Sequence, residues 1–157
     1  LHPITTPKYL TEVIKPNLAK GAKAAGRNPD EIALAGAGFV ITGPDQKTIE
    51  SRKDSVRRQI AFYFSTRTYF PVLEIHGFQE VGQQLHELSL KGEWGQMADL
   101  ITDEMLDTFA VIGPHDEVAG RIKERFGGLL DELSINTGPD ARMDEAVMPK
   151  IIEELHD

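Results

Sequence analysis

Cysteine is absent from the 157-residue chain. That excludes disulfide frameworks, zinc–thiolate sites, iron–sulfur clusters and a cysteine nucleophile, and it suits a reducing compartment. Basic residues are in the minority, 17 against 25 acidic ones, for a formal net charge of -8. A general binder of nucleic-acid backbone needs the opposite balance, which leaves room only for a local basic pocket. Long hydrophobic runs are lacking too. The longest near-apolar stretch, Ile32 to Ile41, falls far short of the roughly 18 residues of a membrane span. No charged leader followed by an apolar segment opens the chain. The reading is a cytoplasmic protein with neither nucleic-acid nor membrane partners. The five histidines, His2, His76, His86, His115 and His156, show no ligand spacing of the H-E-x-x-H kind, so no metal is expected. An initiator Met is also lacking before Leu1-His2-Pro3. Either the terminus was processed or the chain is a piece of something longer.

What is present is ordinary for one globular domain, with 40% apolar residues and mixed charge. Thr6-Pro7 reads as a helix start, with Thr as N-cap and Pro where its absent N–H costs nothing. The helix carries Leu10, Val13, Ile14, Leu18 and Ala22, should kink at Pro16 and should end at Gly26. Residues 32–42 form a continuous small and apolar run between turn residues, as in a strand buried on both faces. A helix follows to Phe64, its outer face bearing Arg52, Lys53, Arg57 and Arg58 as a solvated stripe. Shorter helices are expected at 71–75, 78–90 and 94–100, with Thr102 capping another. Residues 109–112 and 133–136 read as short strands, each followed by a helix, to Phe126 and over 144–155. Trp94 should anchor a core or an interface.

Three strand ends run into Gly-Pro: Thr42-Gly43-Pro44, Ile112-Gly113-Pro114 and Thr137-Gly138-Pro139. Repeated strand–turn–helix units imply parallel strands joined by helical crossovers. About three strands are too few for a closed parallel barrel of about eight strands and roughly 250 residues. The chain therefore reads as the second half of a larger α/β protein. Gly36-Ala37-Gly38 lies inside a strand rather than after it, so it is no dinucleotide fingerprint. It marks close packing or a ligand approaching the backbone.

Residues 60–77, Ile-Ala-Phe-Tyr-Phe-Ser-Thr-Arg-Thr-Tyr-Phe-Pro-Val-Leu-Glu-Ile-His-Gly, resemble a segment of the luciferase-like monooxygenase superfamily, in its branch of deazaflavin (coenzyme F420)-dependent oxidoreductases. Pro7 to Arg27, Gly92-Glu93-Trp94, Ile101 to Leu106 and Phe109 to Ala119 resemble further stretches of that family in the same order. The resemblance implies that residues 1–157 are the C-terminal half of a single (β/α)8 barrel, carrying strands six to eight. It further implies hydride transfer between a small organic substrate and coenzyme F420. FMN in a monooxygenase of the same superfamily is the alternative, and a non-catalytic α/β binding module is a third reading. The chain alone would be inactive, and it would form a homo-oligomer or pair with an N-terminal barrel half.

In such a barrel the segment around Arg67 would follow strand six on the catalytic face. There Arg67, flanked by Tyr63 and Tyr69, could clamp an anionic substrate or coenzyme tail through bidentate hydrogen bonds. Otherwise it is a solvated arginine or a helix C-cap. His76, before Gly77, either faces the negative end of a helix or moves a proton. Gly38 leaves room for the coenzyme, and Gly43 and Gly113 let the backbone approach an anion at a helix N-terminus, although Asp45 and Asp116 already offer carboxylates to those N-termini.

Overall fold

The computed structural model describes residues 1–138 and 146–156. The chain opens with a helical turn, α1 (Pro7–Tyr9), capped by the buried Thr6 hydroxyl, which accepts from the N–H of Tyr9. It continues through a π-helical turn at Leu10–Ile14 into α2 (Lys15–Ala24). The kink expected at Pro16 is absorbed by this wider turn. A proline ring collides with the carbonyl four residues before it, and a π-turn moves the hydrogen bonding to the fifth.

The central strand β1 (Ala35–Gly43) starts three residues later than the apolar run suggests. A 3-10 turn at Pro29–Glu31 uses the approach, and the N–H of Leu34 is held by the Asp131 carboxylate at 2.6 Å. Asp45 caps α3 (Gln46–Phe64), its carboxylate accepting from the N–H of Thr48 at 2.7 Å. α4 (Phe70–Glu74) and α5 (Gln79–Lys91) follow, and α5 ends on Gly92 in the left-handed conformation. α6 (Trp94–Met97) and α7 (Asp103–Phe109), the latter capped by Thr102, lead into β2 (Ala110–Pro114). α8 (Val118–Phe126), β3 (Glu132–Asn136) and α9 (Met148–His156) complete the described chain. α8 opens four residues after Pro114, not at the Gly113-Pro114 junction. Pro139, Asp140 and the expected helix start at Asp144 lie outside the described residues.

The result is a helix-rich α/β fold with three parallel strands, as the sequence implies. Their order is β2-β1-β3. Successive strands six to eight of a barrel would stand side by side in chain order, whereas here β1 is central. The long helical excursion from 44 to 109 returns to one edge of β1, and the short α8 crossover passes β1 to the other. Because the direction of travel reverses, crossovers of one hand place their helices on opposite faces. The two cores follow. Phe39 and Ile41 pack with Ile60, Phe64 and Met105 on the α3 side. Val40 and Val111 pack with Val118, Ile122, Phe126 and Ile151 on the α8–α9 side.

Arg57 joins α3 to the start of α7 by bonding both Asp54 and Asp103, so it serves a salt-bridge link as well as the helix surface. Trp94 is 52% exposed and leans on Phe62, itself 55% exposed, with ring centroids 6.1 Å apart. It is not buried in either core.

Phe64 is fully buried and meets the Phe109 ring at 4.7 Å, where α3 crosses the start of β2. Phe64→Ala should destabilise the chain by about 3–5 kcal/mol, the usual cost of an aromatic-sized core cavity. Urea unfolding followed by circular dichroism measures it, and a loss below about 1 kcal/mol would place Phe64 outside the core proper.

Candidate functional site

Parallel-barrel chemistry sits at the C-terminal ends of strands, so the first question is which side chains reach that end. Thr42, next to last in β1, is 1% exposed and its hydroxyl meets Nδ1 of His115 at 3.0 Å. The N–H of His115 donates to the Gly43 carbonyl at 3.1 Å. Arg52, two turns beyond the α3 cap, donates to the Thr42 carbonyl. Asn136, the last residue of β3, accepts from the N–H of Gly138 at 2.9 Å, and Ser55 lies beside Gly138. A hydroxyl, an imidazole, a guanidinium and a carboxamide thus gather where the strands end. Sequence reasoning missed this group because it weighs His115 only as a metal ligand and Arg52 only as part of a solvated stripe. The signal it could have used was Thr42 and His115, each next to a Gly-Pro junction.

Arg67, Tyr63 and Tyr69 lie elsewhere. α3 runs back antiparallel to β1, so its last turn carries Tyr63 to Phe39 in mid-strand, with centroids 6.3 Å apart. Arg67 is therefore carried away from the strand C-termini. It lines a cleft of about 370 Å³ with Phe70, Gln83, His86 and Glu87. The Glu87 carboxylate there opposes an anion. Tyr63 and Tyr69 do come together, 6.2 Å apart, with the His2 ring 4.3 and 4.8 Å from them. Gln59 donates to the Tyr63 hydroxyl at 3.2 Å. Two buried polar atoms beside Tyr63, His2 Nδ1 and Gln59 Oε1, have no hydrogen-bond partner among the described residues.

The two glycines also face away from an open site. Side chains alternate along a strand, and Gly36, Gly38 and Val40 share the face packed by α8. A methyl group at Gly38 would meet the Phe126 ring at 3.0 Å, and one at Gly113 would meet the Arg121 side chain at 2.8 Å. Both glycines serve close helix–sheet packing. The opposite face carries Ala35, Ala37, Glu132 and Ser134. Of these, Ala35, Glu132 and Ser134 are exposed and Ala37 is half-buried. That small-residue floor runs up to Phe39 and the Tyr63–His2 cluster.

His76 is an anchor. Its Nε2 meets the Thr6 hydroxyl at 2.8 Å, and its ring sits between Phe78 and Phe109 at 6.4 and 5.6 Å. Lys8 adds a bond to the Ile75 carbonyl at 2.8 Å. The pair fastens α1 onto the α4–α5 turn. Among the described residues no group of three metal-ligating side chains comes together, and no helix is long and apolar enough to cross a membrane.

Comparison with known proteins bears on what this arrangement belongs to. The family model of the luciferase-like monooxygenases matches residues 1–132, and the chain belongs to that family. It is 42% identical over 132 residues to an uncharacterized protein of Mycobacterium tuberculosis, a stretch covering 84% of this chain and 39% of that protein. It is 31% identical over 152 residues to the 5,10-methylenetetrahydromethanopterin reductase of Archaeoglobus fulgidus, covering 89% of this chain and 45% of the reductase. The structure resembles that of the coenzyme F420 dependent tetrahydromethanopterin reductase of Methanopyrus kandleri with a TM-score of 0.64 at 27% identity. That likeness takes in 96% of this chain and 41% of the reductase. The chain thus spans about two fifths of the proteins it matches.

Burial lowers the pKa of His76, helped by the positive charges of Lys8 and Arg125, and burial also lowers that of His2. A histidine whose folded pKa is depressed stabilises the fold fully above its unfolded value of about 6.5. That contribution is lost as pH falls through the lower, folded value. The urea midpoint should therefore fall between pH 7.5 and pH 5. In His76→Gln the fall should be shallower, and equal slopes in the two proteins would remove His76 from the linkage.

Proposed function

We propose that this chain is the C-terminal portion of a luciferase-like barrel that carries out hydride transfer with coenzyme F420 on a small organic substrate. The observation that carries the reading is the joint likeness, in sequence and in fold, to proteins named as reductases, one of them as coenzyme F420 dependent. The residues present suit such a group. On the open face Ala35, Ala37 and Ser134 are small, so a flat ring system can lie against them, although the exposed Glu132 shares that face. The Thr42–His115–Arg52 group supplies donors at the strand ends. The coenzyme, when bound, supplies the hydride-accepting and hydride-donating carbon.

The residues of this chain bind and orient. The Thr42 hydroxyl fixes the His115 ring at the strand ends, beside the place where a polar group of coenzyme or substrate would lie. Arg52, pinned by the Thr42 carbonyl, holds positive charge at the same end. Tyr63 and Tyr69 stand with His2 beside Phe39 in mid-strand, away from this group. The Thr42–His115–Arg52 group takes over the anion-contact role expected of Arg67.

The chain is one part of a constellation that barrels draw from several strand ends. Alone it should bind coenzyme F420 weakly and show no turnover. Titration of the chain with F420, and with FMN as the comparison, is read by absorbance. Micromolar binding of F420 by the chain alone would contradict the division of the site, and selective binding of FMN by the complete barrel would move the assignment to a monooxygenase.

In the complete barrel, His115→Ala should weaken coenzyme or substrate binding by about 1–2 kcal/mol, the worth of a hydrogen bond in a partly buried site. Arg67→Ala should leave both affinities and stability unchanged, since its cleft lies away from the strand ends. Steady-state kinetics and binding titrations separate the two, and the reverse pattern would return the anion contact to Arg67.

A further inference from the structure

Among the described residues five large apolar side chains stand in water: Leu1, Phe62, Leu90, Trp94 and Ile152. Leu1 is the first residue and Ile152 lies on α9. The other three come from α3, α5 and α6, helices that pack against one another. A single exposed apolar residue is ordinary, whereas several from adjoining helices make a patch.

Helix geometry keeps these side chains out of the core. Ile60 and Phe64 set the buried face of α3, and Phe62 stands about 160° round the helix from each. Leu85 sets the buried face of α5, and Leu90 stands about 140° from it. Leu90 is 75% exposed. The rings of Phe62 and Trp94 cover part of each other and leave the rest to solvent. Apolar side chains on an outer face gain nothing within the chain, and large aromatics of this kind are the usual centre of a contact with a partner.

The rim of the patch says which partner fits. Arg58 lies one turn before Phe62, Lys91 and Glu93 flank the Gly92 turn between α5 and α6, and Asp99 follows α6; all four are exposed. Arg58, Gly95 and Asp99 also line a trough of about 460 Å³. Two cations and two anions balance there, in a chain whose formal net charge is -8. A partner of one charge sign would meet half of this rim as repulsion. A second copy, turned by a two-fold axis, brings the cations of one rim to the anions of the other. The area sets the strength. A fully covered Trp or Phe buries roughly 150–250 Å², so this half-covered pair offers roughly 200 Å² of the roughly 800 Å² per partner in a standard interface. With Leu90 and the outer faces of three helices added, the contact suits a reversible dimer rather than an obligate one.

We infer that Phe62, Leu90 and Trp94 form the centre of a two-fold contact between two copies of this chain. Sedimentation velocity over roughly 1–100 µM chain, the range in which small interfaces associate, should show a reversible passage from monomer to dimer. Phe62→Ser and, separately, Leu90→Gln should each weaken it about ten-fold or more. Circular dichroism should stay native in both, since more than half of each side chain is already exposed. Ile152→Ser, on α9, should leave association unchanged. The chain has no cysteine, so an introduced thiol is unique. Gly95→Cys, beside Trp94, and Gly120→Cys, on α8, both place a side chain in open space. A short bismaleimide should join two copies of the first and not of the second. A chain that stays monomeric at the highest concentration, undiminished association of a folded Phe62→Ser or Leu90→Gln, or equal cross-linking at both thiols would each overturn the inference. No coenzyme is present, so the outcome is independent of the proposed activity.

Discussion

The fold turns on Phe39. It is the residue of β1 at which the two registers overlap, standing opposite Ala110 of β2 and Asn136 of β3. Below it β1 has β3 as its neighbour, and above it β2. Its side chain is wholly buried against α3 while its neighbour Val40 is buried against α8 and α9. One stretch of strand therefore joins two cores that share no helix. Every other element is placed relative to it: α3 by direct packing, α8 by crossing over it, and the Tyr63–His2 cluster by contact with its ring.

That arrangement explains what could be read from the chain and what could not. The apolar run at 32–42 announces a strand buried on both faces, and the Gly-Pro junctions announce parallel partners, because both signals are local. The order β2-β1-β3 is not local. It depends on where a long helical excursion comes back, and nothing in Gly113-Pro114 says which edge of β1 is free. The same gap moved the site. Tyr63, Arg67 and Tyr69 are close in sequence to a strand–helix unit, but a helix of five turns carries them away from the strand ends. Thr42 and His115, far apart in sequence, are brought together by pairing of β1 with β2.

Strand parity decided the glycines. Gly36 and Gly38 advertise space, and the alternatives of packing and ligand approach are equal until the face is known. The structure turns them to α8, where Phe126 and Leu130 fill the room, and turns Ala35 and Ala37 to the open side. The small residues that matter for a ligand are the alanines between the glycines. His76 shows the same dependence on partners: beside Gly77 it resembles a helix-end histidine, yet its ring closes onto Thr6 from another part of the chain.

The position of Trp94 has a consequence for how this molecule can be observed. It is the single tryptophan of the chain, and it sits on the surface with Phe62 rather than in either core. Its emission in the native state already reflects water, so unfolding will change it little. A tryptophan signal would therefore report the α3–α6 contact and anything that settles on it, and remain nearly silent while both cores come apart.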